Sequence, residues 1–170
     1  SAGQVSAIAT QSMQGLSTLQ IRTLRSDQVA AITTTQLSKL VSSQIGAISS
    51  AAVSSLTTAQ MASLDATQVQ AMGTAQLSVL GSAQINSLTG TSVSALKTQQ
   101  VTALNTTSLG GVQSSTLQSL VTGQYKALST AQLVSLSTAQ IQTIESADIE
   151  SLSTLQLNAL TTAQSSALTT

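Results

Sequence analysis

The chain has 170 residues, of which only 5 are basic and 5 acidic, and it contains no His, Cys, Pro or Trp. A net charge of zero from so few charges excludes an electrostatic basis for binding nucleic acid or an anionic membrane surface. No apolar run approaches the ~20 residues of a membrane-spanning helix, while an apolar content of 41% is too high for a disordered tract.

One eight-residue unit repeats from the first residue onward without a change of frame. The first copy is SAGQVSAI, the second ATQSMQGL, and the twenty-first is TTAQSSAL at residues 161–168, after which Thr169 and Thr170 begin another copy. We number these octads 1 to 21 and the positions within each octad as columns 1 to 8. The sequence thus predicts a single continuous array of 21 octads over residues 1–170. We expect it to be a segment of a longer array, because both ends fall within the repeat.

The eight columns differ in the residues that they accept. Column 8 is aliphatic or Met in all 21 copies, and column 5 is apolar in 20, with Ser165 as the exception. Column 4 is Gln in 15 copies, column 2 is Ser or Thr in 18, and column 7 is small apart from Lys39 and Val79. Columns 1, 3 and 6 vary and hold 8 of the 10 charges. This pattern predicts that columns 5 and 8 are buried and that columns 1, 3 and 6 face solvent.

A continuous helix does not fit an apolar pattern with this period. At 100° per residue, eight residues overshoot two helical turns by about 80°, so the apolar stripe would circle the helix. Supercoiling corrects smaller mismatches, such as those of seven- and eleven-residue repeats. A conventional coiled coil is therefore excluded, and the helix must be interrupted once in every octad.

Each octad carries signals for such an interrupted helix, most clearly in octad 18. Ser137 is a suitable N-cap, and Gln140 three residues later completes a capping box. Leu136 before the cap and Ile141 after it form the pair of a hydrophobic staple. Column 1 offers Ser, Thr, Asp, Asn or Gly in 14 of the 21 copies. We predict an all-α repeat solenoid with one short helical turn per octad, in which columns 5 and 8 line the axis, small column 7 permits close packing of coils, and neighbouring coils stabilise one another.

A β-solenoid is the alternative fold class. Its coils would stack Gln over Gln and Thr over Thr, as cross-β assemblies do. However, columns 5 and 8 have opposite parity and would point to opposite faces of one strand. Turns every eight residues would also recruit Gly, Asn, Asp or Pro, whereas the chain has nine Gly and no Pro.

The candidates for chemistry are few and are taken here in chain order. Lys39, Lys97 and Lys126 are formal partners for a Ser nucleophile, but each lies in a different octad context, as scattered surface charges would. The pair Gly110–Gly111 has no following Lys and makes no phosphate-binding loop. Tyr125 is interpreted as a column-5 core residue.

Acidic residues cluster once, in ESADIE at residues 145–150. A hard cation requires several oxygens that converge on one point, and we interpret Glu145, Asp148 and Glu150 as solvated carboxylates instead. We therefore predict no catalytic, cofactor-binding or metal-ligating residue, no cofactor and no enzymatic activity.

The hydroxyls of column 2 allow two interpretations. Regular Thr rows on a flat face could bind ice, but column 2 mixes twelve Thr with six Ser. Helix capping or hydrogen bonding between coils explains this exchange of Ser and Thr more simply.

The phrases LTTAQM (56–61), LSTAQLVSLSTAQI (128–141) and ALTTAQ (159–164) resemble the LTTAQIxAL octad arrays of large exported bacterial proteins, some of them surface-associated. The resemblance covers the whole chain and implies a bacterial setting, extracellular or at the cell surface. We expect a structural protein, a rod or filament segment of a cell-surface or matrix assembly that associates with itself end to end or laterally. The alternatives are a solenoid that binds ice, glycan or a protein partner, and a functional amyloid.

Overall fold

A computed structural model of the chain describes residues 1–168, and each octad in this range forms one short helix. Twenty helices are α-helices and the second is a 3₁₀ helix, and the described residues contain no strand. The helices are Ala2–Ser6, Thr10–Gly15 (3₁₀), Thr18–Arg22, Ser26–Ala30, Thr34–Leu37, Ser42–Ala47, Ser50–Val53, Thr58–Ala62, Ala66–Ala71, Thr74–Leu77, Ser82–Ser87, Gly90–Ser94, Thr98–Ala103, Thr106–Gly110, Ser114–Leu117, Thr122–Ala127, Thr130–Val134, Thr138–Ile141, Ser146–Glu150, Thr154–Ala159 and Thr162–Ala167. The predicted all-α class is confirmed, and the β-solenoid alternative is wrong for this structure.

The N-cap of every helix falls in column 1, as the capping signals predict. In octad 18, Ser137 Oγ accepts a hydrogen bond from the Gln140 N–H at 3.2 Å, and Gln140 Oε1 accepts one from the Ser137 N–H at 2.6 Å. The 3₁₀ helix occurs in octad 2, where Ala9 provides no side-chain cap and column 4 is Ser12. A missing cap does not by itself give a 3₁₀ helix, because the octads that begin at Gln113 and Glu145 also lack a side-chain cap and are α-helical.

The corners between helices use ordinary backbone conformations. Column 8 ends the helix in an extended conformation, as at Leu104 (φ −63°, ψ 132°), and the next N-cap is also extended, as at Asn105 (φ −74°, ψ 149°). Within residues 1–168 there is no cis peptide bond and no residue with positive φ. Corners of this kind need neither Gly nor Pro, which explains the scarcity of both residues in a chain that turns every eight residues.

The helices coil into a solenoid whose turn is longer than three octads and shorter than four. The main helix–helix contacts join octads three apart, for example Ser42–Ala47 with Ala66–Ala71 and Thr58–Ala62 with Ser82–Ser87. Side-chain hydrogen bonds also reach back 28 to 31 residues, into the octad four earlier, as from Gln132 to Leu104 and Val101. Each octad thus contacts two octads of the preceding coil.

A single apolar core runs along the axis. Every buried apolar residue of this core belongs to column 5 or column 8, except Ala52 in column 4. The most deeply buried side chains include Met13, Leu77 and Leu133, each 0% exposed. The predicted burial of columns 5 and 8 is confirmed in the interior of the array, whereas in the terminal coils column-8 residues such as Ile8 and Leu168 are half-buried and column-5 Leu157 is exposed. Column 4 is buried from Gln36 onward.

Candidate functional site: the contacts between coils

Each column-4 Gln in the interior of the array bonds to its own helix and to the preceding coil. Gln132 Oε1 accepts a hydrogen bond from the Ser129 N–H at 2.9 Å, which closes the capping box. Gln132 Nε2 donates to Val101 O at 3.0 Å and Leu104 O at 2.7 Å, both in octad 13. One carboxamide therefore accepts a free N–H at the start of one helix and donates to two carbonyls at the end of another, of which Val101 O also accepts the Leu104 N–H.

The same pair of contacts between coils recurs along the whole array. From octad 5 onward, every column-4 Gln donates from Nε2 to the carbonyls 31 and 28 residues earlier, in columns 5 and 8. These are Gln36, Gln44, Gln60, Gln68, Gln76, Gln84, Gln100, Gln124, Gln132, Gln140, Gln156 and Gln164. All twelve are buried, and no buried side-chain N or O atom in the described residues lacks a partner.

Sequence reasoning predicted the capping-box role of this Gln but missed its donation to the preceding coil. A signal for it exists in column 4, which contains fifteen Gln and no Glu. A capping box accepts either residue, because both have the carboxyl or amide oxygen that it needs. Gln can also donate a hydrogen bond, whereas an ionised Glu cannot, so the exclusion of Glu indicates a second, donating role.

Small residues in columns 6 and 7 let the coils approach closely. A Cβ atom on Gly46 would lie 2.9 Å from Ala71 O, and one on Gly110 would lie 2.9 Å from Ser135 O. Both contacts join octads three apart. The glycines of the Gly110–Gly111 pair are thus packing residues, which agrees with the absence of a phosphate-binding motif around them.

The column-2 hydroxyls do not have the role predicted for them. Column 2 is the first position inside each helix, and the caps come from column 1, so these side chains lie mostly on the outer surface. Among the described column-2 residues, Ser26 alone shows a side-chain hydrogen bond, which its hydroxyl donates to Ala51 O at 3.1 Å. The prediction of capping by column 2 is therefore wrong, and bonding between coils holds for Ser26 only.

The three lysines lie apart on the outer surface. Lys39, Lys97 and Lys126 belong to octads 5, 13 and 16, and all three are exposed. The structure does not bring them together, and the ion pair in the described residues joins Arg25 and Asp27 instead, at 2.9 Å.

The acidic cluster divides between solvent and core. Glu145 and Glu150 are exposed, as predicted, whereas Asp148 occupies column 4 and is 8% exposed, so its interpretation as a solvated carboxylate is wrong. Within residues 1–168, no group of three His, Cys, Asp or Glu residues is arranged to hold a metal ion.

Tyr125 is a core residue, as predicted from its column. It is 1% exposed, and its hydroxyl donates a hydrogen bond to Leu117 O at 2.7 Å. Burial raises the pKa of this hydroxyl above its ordinary value, and the carboxylates of Asp148 and Glu145 raise it further. The consequence is a tyrosine that remains a hydrogen-bond donor in neutral and mildly alkaline solution.

Comparison with known proteins agrees with the octad pattern. The family model of the ALTTAQ repeat matches residues 5–42 and residues 141–170. The resemblance to octapeptide-repeat arrays is confirmed in these two segments, and the helices between them follow the same one-per-octad order. No curated protein matches the chain. Within the described residues, no helix has the length and apolar character that crossing a membrane requires.

Proposed function

We propose that this chain is a structural protein, a rod or filament segment of a bacterial cell-surface or extracellular-matrix assembly. The observation that carries the proposal is the series of twelve buried Gln contacts that recur between Gln36 and Gln164. These contacts connect each coil to the one before it, so the array extends along one axis as octads are added. A protein whose repeated columns 4, 5 and 8 hold coils together is suited to spanning distance.

The outer surface supports the same proposal. Columns 1, 3 and 6 face solvent and vary in residue type, whereas the repeated columns 4, 5 and 8 are internal. A binding array that uses one ligand along its length would need repetition on its exposed columns, and of these column 2 alone repeats, with a mixture of Ser and Thr. The extracellular bacterial setting rests on the resemblance of the matched segments to exported repeat arrays.

Self-association end to end is the proposed mode of assembly, with a second copy of the array as partner. The column-4 amides of the first coil are exposed or half-buried. They form capping boxes as the interior Gln residues do, and they belong to Gln4, Gln20 and Gln28. At the other end, a cavity of about 520 Å³ opens among Ile144, Ile149 and Leu168. Amide side chains on the first coil and apolar surface on the last coil are those that a further coil would contact, whether that coil belongs to a second copy or to the same chain.

The experiment that tests the rod is a duplication of residues 1–168 joined in octad phase. We expect small-angle X-ray scattering to give a particle twice as long with an unchanged cross-section. The control carries three extra residues at the junction, which break the phase, and should give two rods joined by a kink. If the in-phase duplication also behaves as two separate bodies, the continuous rod is wrong.

The cellular setting needs a separate measurement on the source bacterium. Immunogold electron microscopy with an antibody to the array should label intact cells or their surrounding matrix. Label confined to the interior of sectioned cells would contradict the proposed location.

A solenoid that binds ice or glycan is the second candidate, favoured by one observation. The column-2 Thr side chains, such as Thr58, Thr74 and Thr138, are exposed. Thermal hysteresis and glycan-array binding, measured with wild type and with several column-2 Thr→Ala changes, would distinguish the two candidates. The rod proposal expects no difference between these proteins.

A further inference from the structure

Six octads have a residue other than Gln in column 4, and in three of these a polar residue elsewhere supplies a contact that Gln would make. The six replacements are Ser12, Ala52, Ser92, Ser108, Thr116 and Asp148. The three compensated positions are in octads 14, 15 and 19. Each compensation uses a residue type that is rare in the chain, which has three Asn and one Tyr.

In octad 14 the compensating residue is Asn105. A Gln at position 108 would reach the carbonyls of octad 10, but Ser108 is too short to contact more than Leu80 O, which its hydroxyl reaches at 2.7 Å. Asn105 Nδ2 donates to Ser78 O at 3.0 Å and to Leu80 O at 3.2 Å. The amide of the N-cap residue therefore replaces the missing amide of column 4.

In octad 15 the missing group is an acceptor. Thr116 has no amide oxygen to accept the N–H of the N-cap residue Gln113, as Gln does in the octads that contain it. That N–H instead donates to Asn86 Oδ1 at 2.8 Å, and Asn86 Nδ2 donates to Gly111 O at 3.4 Å. Asn86 lies in octad 11, so its bond to Gln113 joins octads four apart.

In octad 19 the missing group is a donor. By the spacing of the interior Gln residues, Asp148 lies opposite Leu117 O, which is 31 residues earlier, and an ionised carboxylate cannot donate to it. The Tyr125 hydroxyl donates to that same carbonyl at 2.7 Å. The single Tyr of the chain thus serves the carbonyl that faces the single column-4 Asp.

Asn105 and Ser108 lie in one octad and bond to backbone carbonyls that every octad offers, so they do not depend on register. We infer that the other two pairs, Asn86–Gln113 and Tyr125–Asp148, determine which octads stack on one another. We call them the register pairs. Octads with the consensus sequence are interchangeable, so a coil that loops out one octad can restack with every Gln contact intact. With register pairs, the same slip leaves the Gln113 N–H without an acceptor and moves Asp148 opposite a carbonyl that no tyrosine serves.

For Tyr125–Asp148 the physical basis is the cost of a buried polar group without a suitable partner, which exceeds the gain from an ordinary hydrogen bond. For Asn86–Gln113, whose bond is exposed, the slip costs one ordinary hydrogen bond. Regular repeating structures are prone to slippage unless some positions penalise the wrong register. Both pairs lie between octads 11 and 19, so the middle and later coils are the ones held in place. This inference concerns the stacking of coils and stands whether or not the array acts as a rod.

Compensation by Tyr125 is tested with Tyr125→Phe in two backgrounds. The measurement is hydrogen exchange of the Leu120 amide, because the Leu120 N–H also donates to Leu117 O. In the wild-type background, Tyr125→Phe should lower the protection of this amide about tenfold. In the Asp148→Gln background the new amide serves the same carbonyl, and the loss should be less than about twofold. An equal loss in both backgrounds would overturn the assignment.

Register is tested by restoring the consensus at all three compensated positions, which removes both register pairs. The variant carries Asn86→Ser, Thr116→Gln, Asn105→Ser, Ser108→Gln, Tyr125→Leu and Asp148→Gln. Because the chain has no Cys, spin labels can be attached at Ala75→Cys and Ala131→Cys, both exposed positions seven octads apart.

We expect one distance between the labels in the otherwise wild-type chain and two or more in the consensus variant, with helical circular dichroism in both. Asn158→Ser, at an exposed Asn outside the register pairs, is the matched control and should keep the single distance. A single unchanged distance in the consensus variant would overturn the inference. Loss of helical circular dichroism in the consensus variant would also overturn the inference, because the consensus Gln contacts would then not replace the register pairs.

Discussion

The amide of a column-4 Gln combines two hydrogen-bonding roles that few side chains can provide together. At Gln140, Oε1 faces the Ser137 N–H while Nε2 faces Leu109 O and Val112 O. An acid in this position would retain the acceptor and lose the donor. The buried amide is therefore the residue on which the contact between coils depends.

Replacement of Gln132 by Glu tests this dependence. At neutral pH the ionised carboxylate would face Val101 O and Leu104 O, and we expect a loss of about 3 kcal/mol in stability. Burial next to carbonyl oxygens raises the pKa of the introduced carboxyl in the folded state above the unfolded value of about 4.3. The variant should therefore approach wild-type stability below about pH 4 and lose it as pH rises.

Thermal unfolding of wild type and Gln132→Glu at several pH values measures the effect. Gln142→Glu, at an exposed column-6 position, is the control and should differ little from wild type. A pH-independent loss in Gln132→Glu would contradict the donor role.

Titration of Tyr125, the single tyrosine, gives a second test of a buried side chain. Its pKa is raised by burial and by two nearby carboxylates, so ionisation favours unfolding, and the stability of its coil should be complete below about pH 10 and fall above it. Ultraviolet titration should show ionisation at a higher pH in the folded protein than in urea. Coincident curves would place the hydroxyl in solvent.

Introduction of an Asp should destabilise the protein when it lies on the axis of the solenoid and should have little effect on the outer surface. Leu136 is 4% exposed in column 8, and Leu136→Asp would bury a charge and separate neighbouring coils, at a cost of about 4 kcal/mol. Gln142→Asp places the same charge in solvent and should cost less than about 0.5 kcal/mol. Urea unfolding of both variants checks the prediction, and equal losses would show that the column assignment is wrong.

At the scale of the element, the helices depend on caps and stacking more than on their own length. Several span only four residues, such as Thr138–Ile141, which is far below the length at which an isolated helix is stable. In octad 16, column 1 is Val121, which is 49% exposed and has no side-chain atom that can accept a hydrogen bond. Gln124, the second residue of the capping box, is present. The helix of octad 16 therefore has the Gln side chain of the capping box but lacks the acceptor for the Gln124 N–H.

Val121→Ser should complete this cap. The hydroxyl would accept the Gln124 N–H, and we expect a gain of about 1 kcal/mol. Val121→Ala removes the same side chain without adding an acceptor and is the matched control. Equal melting temperatures for the two variants would show that the cap hydroxyl contributes nothing in this array.

Most of the element structure was predictable because its determinants lie within eight residues. The cap at Ser137, the box at Gln140 and the burial of Leu136 are all local patterns, and all three are confirmed. What could not be predicted is the partner of each Gln Nε2, since a carbonyl 28 or 31 residues earlier is specified by the length of the coil. The roles of Asn86 and Tyr125 were missed for the same reason.

The whole molecule combines a repeated interior with contacts that differ from coil to coil. Between residues 1 and 168, backbone hydrogen bonds stay within an octad and the bonds between coils come from side chains. Circular dichroism should therefore be helical at low concentration and should keep its shape as concentration rises. A β spectrum that develops with concentration would favour an amyloid-like assembly instead.

The separation of backbone bonds within octads from side-chain bonds between coils has a mechanical consequence. Tension along the axis acts first on the side-chain bonds between coils, because the backbone bonds of each octad lie within its own short helix. The coils would then separate one after another at similar forces, and each would regain its contacts when the load falls. A chain built in this way would behave as an extensible spring, which absorbs work by opening coils before any covalent segment is drawn straight.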